Sequence, residues 1–186
     1  QPILANAQGK GLDKYSEQTF QAATAALDNR VFSGARERPV SVPRHLTGKD
    51  ANLFRKGAEI YSREAHCSTC HQPNGGGLPA AGFPPLAGTE WMLKDDERLI
   101  KLTLKGLIGP ITVKGVEYPG QVPMTPFEYL LKDDEIAAVL TFARNSFGNK
   151  ASPIAPEQVA KVRALVKDKR DLYTVEDLLK EHPLGK

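Results

Sequence analysis

The chain has 186 residues, 40% hydrophobic and 25% charged, with a formal net charge of +3. That length fits one domain with extensions, or one and a half domains, and a mild positive balance without a lysine/arginine run interleaved with aromatics does not point to nucleic acid. No apolar stretch approaches the ~20 residues of a membrane span.

Residues 1–49 read as an N-terminal arm. Tyr15, Phe20, Ala23, Leu27 and Val31 fall near helical spacing and predict a helix over 14–32, with Gly34 as its stop. Arg36-Glu37-Arg38-Pro39-Val40-Ser41-Val42-Pro43-Arg44 follows as a basic, extended linker. Such an arm wraps its own domain or contacts a partner subunit. A second helix is predicted over 50–66, capped by Asp50, with Phe54, Gly57, Ile60 and Tyr61 on one face. Glycine inside a helix costs about 1 kcal/mol against alanine, so Gly57 points to a close helix crossing.

The helix leads into Cys67-Ser68-Thr69-Cys70-His71. Two cysteines two apart, followed at once by histidine, have the spacing of a c-type haem attachment site. Each thiol adds to one haem vinyl group, and the adjacent imidazole then lies under the iron as proximal ligand. A zinc site is the first alternative, but it would have to complete its ligand set from His45, His66 and His182. A redox dithiol is the second, and it needs a strand-turn-helix context. The other three histidines have no context that marks them as ligands, and terminal His182 reads as solvated. The attachment chemistry implies maturation outside the cytoplasm, so a leader removed before Gln1 is expected.

A turn-rich loop, Gln72 to Pro79, is followed by Phe83-Pro84-Pro85-Leu86, stiff enough to wall a flat cofactor. A proline carbonyl here is placed to accept the second ring proton of His71. Trp91 is either a core residue or a donor to a haem propionate. A helix over 95–105, a hairpin over 111–118 turning at Lys114-Gly115, and a helix from Asp133, its cap, to Phe147 complete the pattern. Between hairpin and last helix, Met124 sits among Pro123 and Pro126 on a stiff loop, as a sixth iron ligand requires, whereas Met92 adjoins Trp91 and reads as ordinary core.

Beyond Asn149, Pro156-Glu157 opens a helix with Val159, Val162 and Val166 as a narrow apolar stripe. Lys167-Asp168-Lys169-Arg170 reads as a solvated break, and Thr174-x-x-Asp177 as a cap before Leu178 and Leu179.

Taken together, Gly57, Tyr61, Cys67-x-x-Cys70-His71, Pro84-Pro85-Leu86, Met124, Leu140 and Phe142 resemble the class I monohaem cytochromes c over about residues 50–150. The resemblance implies an all-α fold around one covalent haem, with first and last helices crossing at Gly57 and Tyr61 packed near Phe142. It selects Pro84 as acceptor for His71 and Met124 as axial ligand. The likeness extends to cytochrome modules that accompany bacterial periplasmic dehydrogenases. The expected organisation is arm 1–49, cytochrome domain 50–150 with a small hairpin, and helical extension 151–186. The expected function is one-electron transfer by haem c with His71 and Met124 as axial ligands, not enzymatic catalysis. The expected setting is periplasmic, as a carrier or dehydrogenase subunit meeting redox proteins. The alternative is a haem enzyme or gas sensor with an open or labile sixth position.

Overall fold

A turn at residues 44–45, closed by Leu46 N to Pro43 O at 2.9 Å, leads through extended Thr47 into helix α1 (Gly48–Ser62), which buries Ala51, Phe54, Gly57, Ala58, Ile60 and Tyr61. The computed structural model describes residues 40–63 and 67–184. The helix expected over 14–32, the first four residues of the basic linker and His66 lie outside those residues. The residue at the N-cap is Thr47, not Asp50. Asp50 lies in the first turn, where its charge meets the positive end of the helix dipole.

Short helix α2 (Cys67–His71) carries the attachment motif. After a 3-10 turn at Pro79–Ala81 come helices α3 (Glu90–Leu93) and α4 (Asp96–Lys105). Strand β1 (Leu107–Ile108) follows, then the predicted hairpin of β2 (Ile111–Val113) and β3 (Val116–Tyr118), joined through Lys114 and Gly115. Helix α5 runs Asp133–Arg144, ending one turn earlier than the apolar period suggested, because Asn145 leaves helical geometry and Phe147 has φ 60°. Asp133 is its first helical residue and Lys132 the cap. The Lys132 backbone N–H donates to Glu135 Oε2 at 3.0 Å.

Helix α6 (Pro156–Leu165), strand β4 (Tyr173–Thr174) and helix α7 (Val175–Glu181) make the tail. The described residues from Val42 onward form one compact unit. The tail packs onto the cytochrome-like core because Val159, Val162, Val166, Tyr173 and Leu178 are all buried in a continuous cluster with it. β4 pairs in parallel with β1, Leu107 opposite Tyr173 and Ile108 opposite Thr174.

The centre of the fold is the contact of α1 with α5. A Cβ placed on Gly57 would lie 2.0 Å from the Ala138 carbonyl oxygen, so only glycine permits this approach. Around it Phe54 and Tyr61 meet Phe142 at ring-centroid distances of 5.1 and 5.2 Å. Each such buried aromatic contributes roughly 1.5–3 kcal/mol by apolar burial, and tilted ring pairs add to it.

Candidate haem site

The α2 turn brings Cys67, Cys70 and His71 to one end of the helix pair, and neither cysteine is in a disulfide. Burial pushes the Cys67 thiol up to about 11, with its own backbone hydrogen bond opposing and the Cys70 charge adding. Burial raises Cys70 as well. His71 donates its Nδ1–H to the Pro84 carbonyl at 2.9 Å. That bond fixes the tautomer and leaves Nε2 as the ring nitrogen with a free lone pair. Burial holds the imidazole below its ordinary pKa, partly opposed by the Pro84 bond, so the ring is kept neutral as a ligand must be.

Two apolar hollows of ≈ 700 and ≈ 790 Å³, counting space open to solvent, share Cys67, His71, Met124 and Phe127 in their walls. The first is closed by core residues such as Leu99, Leu102 and Val139. The second opens past Pro84, Ile111 and Val122. Met124 is half-buried and packs on the core. Its backbone is tied to β1 in an antiparallel bridge, Met124 N to Leu107 O at 2.9 Å and Leu107 N to Met124 O at 3.3 Å. Met92 lines only the first hollow, and its carbonyl accepts from Arg144 at 2.8 Å. An imidazole with its outer nitrogen occupied, a thioether and two thiols around paired apolar hollows form the donor set and cradle that a covalent haem needs. Among the described residues no group of three or more His, Cys, Asp or Glu side chains is arranged to hold a metal ion.

The sequence pattern of cytochrome c matches residues 54–146, half of the chain. The chain belongs to the cytochrome c family. It is 45% identical over 117 residues to cytochrome c-552 of Thermus thermophilus, a match covering 58% of this chain and 84% of that protein. It is 35% identical over 109 residues to the cytochrome c subunit of the quinone alcohol dehydrogenase of Gluconobacter oxydans, covering 58% of this chain and 22% of that subunit. The gluconate 2-dehydrogenase cytochrome c subunit of Pantoea cypripedii matches at 32% over 113 residues, with 24% of its length covered. As a cytochrome c with the Cys67-x-x-Cys70 attachment motif, the chain carries haem c covalently.

Within this cytochrome c, Trp91 is 5% exposed and lines the first hollow, but its indole N–H is donated to the Thr112 carbonyl at 3.0 Å. That bond ties the indole to the hairpin, while the ring itself remains part of the hollow's wall. Two supports of the site escaped sequence reasoning. Tyr61 donates its hydroxyl to the Gln72 carbonyl at 2.7 Å, fixing the chain just after His71. Buried Asn149 accepts from Gly88 N at 2.7 Å and donates to Leu86 O at 3.2 Å and Ala143 O at 2.8 Å, which moors the proline loop to the end of α5. The only signal for Asn149 was an asparagine just past a glycine stop, which reads as an ordinary turn residue.

His182 is not solvated, and exposed His45 is held by a side-chain partner. His45 Nε2 meets Asn145 Oδ1 at 2.8 Å, and His182 sits between Asp95 at 3.1 Å and Lys101 at 2.9 Å.

Proposed function

We propose that this cytochrome c transfers single electrons with His71 and Met124 as the two axial ligands of its haem, and that it does so outside the cytoplasm with redox proteins as partners. One observation carries the reading: His71, with its Nδ1 held by Pro84, and Met124, with its backbone held by β1, line the same two apolar hollows as Cys67. When attached, the haem supplies the one-electron couple. The residues around it exclude water, hold the imidazole neutral and keep a thioether within the cavity wall. Histidine/methionine ligation closes both axial positions and tends to raise the potential, which suits a carrier and not an oxygen-binding enzyme. The likeness to dehydrogenase cytochrome subunits supports a dehydrogenase as electron donor, and an oxidase or another cytochrome is the matching acceptor. Neither role requires a catalytic group from this chain.

The test is optical. Oxidised native protein shows the near-infrared sulfur-to-iron band; Met124→Ala abolishes it and Met92→Leu keeps it. Haem that stays with the protein in acid-acetone, with an intact mass greater than the chain by one haem, reports the covalent bonds. A five-coordinate spectrum in the native protein would overturn the carrier reading in favour of a gas-binding or catalytic haem.

A further inference from the structure

Met124 arrives on a loop whose own sequence supplies few restraints. Pro119, Pro123 and Pro126 lack backbone donors, and the single backbone pair at Met124 is the bridge to Leu107. What immobilises the segment comes from elsewhere. Gly106, at φ 75°, has room for no side chain, since a Cβ there would lie 2.4 Å from the Met124 carbonyl oxygen. The same turn of chain is gripped from its other side by the tail: Tyr173 N donates to Gly106 O at 3.2 Å, and Leu107 pairs with Tyr173. Met124, Leu107 and Tyr173 therefore form three consecutive rungs, with Leu107 in the middle.

A second grip lies four to nine residues further on. Arg163 of α6 donates Nη1 to the Glu128 carbonyl, Nη2 to the Leu131 carbonyl at 3.0 Å and Nε to Asp133 Oδ1 at 2.7 Å. Its planar fork spans the turn that joins the methionine loop to α5. Lys105, 4% exposed, pairs with the Glu128 carboxylate and donates to the Lys169 carbonyl at 2.8 Å, linking α4, the loop and the tail. Arg163, Lys169 and Tyr173 all lie beyond residue 146, where the family match ends.

We propose that the tail is a positioning device for Met124: Arg163 and Tyr173 are positioning residues that set how firmly the thioether is held at the iron. The inference rests on Met124 being the axial ligand. A ligand on a loosened loop competes less well with added ligands, because the ordering cost of the loop is then met at each binding event.

The experiment uses the full haem-loaded chain and imidazole as probe of the ferric iron. Arg163→Met and Tyr173→Pro are expected to bind imidazole about tenfold more tightly than native, and to lose the near-infrared band at lower pH. Arg163→Lys, which keeps the charge without the fork, falls between. Val159→Ala, one turn before Arg163 on α6, buried and making none of the hydrogen bonds to the loop, lowers thermal stability with imidazole affinity unchanged. The proposal is overturned if the Arg163 and Tyr173 variants stay within twofold of native, or if Val159→Ala shifts affinity as much as they do. A native protein without the band, or one whose band survives Met124→Ala, instead overturns the ligand assignment itself, so the two failures are told apart.

Discussion

At the scale of single residues, the site shows polar groups being used up by the fold so that few remain for solvent. The His71 Nδ1–H goes to Pro84, the Tyr61 hydroxyl to Gln72 and the Trp91 indole to Thr112. The Trp91 ring also lies 5.1 Å from the Arg98 guanidinium carbon, and Arg98 is fully buried. Trp91→Phe keeps most of the ring volume but strands the Thr112 carbonyl and weakens the cation–π contact. It is expected to cost about 1–3 kcal/mol, read as a lower urea midpoint with an unchanged slope, and to keep the near-infrared band. Gly57 has no such tolerance. A methyl group set 2.0 Å from the Ala138 oxygen forces the two helices apart, and Gly57→Ala is expected to lose roughly 1–3 kcal/mol or more. Retention of native stability by Gly57→Ala would mean that α1 and α5 slide without cost, contrary to the packing of Phe54, Tyr61 and Phe142.

At the scale of elements, caps and local ion pairs decide where helices begin. Asp95 accepts from Arg98 N at 2.8 Å at the start of α4 and also meets His182 at 3.1 Å. Partial burial pushes its carboxyl up, but the Arg98 backbone bond, His182 and the Arg98 charge outweigh this and hold it below the usual range. A depressed folded pKa stabilises above the ordinary carboxylate value of ~3.9 and is lost as pH falls through the lower folded value. Asp95→Ala is expected to cost about 0.5–2 kcal/mol at neutral pH. The gap between variant and native should close below about pH 4; an unchanged gap in acid would show that the cap's charge contributes nothing. Of the caps read from the sequence, Asp50 and Asp133 proved to be first-turn residues, but Thr174 was legible. So were the hairpin, the α4 stop at Gly106, and the pairing of Gly57 and Tyr61 with the last core helix, because each rests on short spacing or steric demand. The docking of the tail was not. Its valine stripe announced a buried face, but nothing local says that Tyr173 joins β1 or that Arg163 reaches the Glu128 and Leu131 carbonyls. Charged residues at such positions look solvated until a non-local partner is in view, and His182 was misread for that reason.

At the scale of the whole molecule, the question is how electrons enter and leave. Lys94, Lys105, Lys114 and Lys132 are the lysines that a mildly basic sequence places near the loops. Lys105 is withdrawn from any docking role, since its ammonium is buried against Glu128 and Lys169. Lys94, Lys114 and Lys132 are exposed, but no lysine lines the second hollow, whose walls include both cysteines, Pro84 and Met124. Val122, 60% exposed, stands at its mouth. A partner docking at this edge would meet an apolar centre, with lysine charge confined to the surroundings. Peripheral charge acts chiefly on encounter rate and is screened over ~8 Å at physiological salt. With an acidic partner, the bimolecular electron-transfer rate is expected to fall only gently as salt rises. Val122→Asp, which puts a charge on the apolar centre, is expected to slow it about tenfold, equivalent to about 1.4 kcal/mol, with the near-infrared band intact. A steep salt dependence together with an unaffected Val122→Asp rate would move the docking site away from this mouth to the exposed lysines.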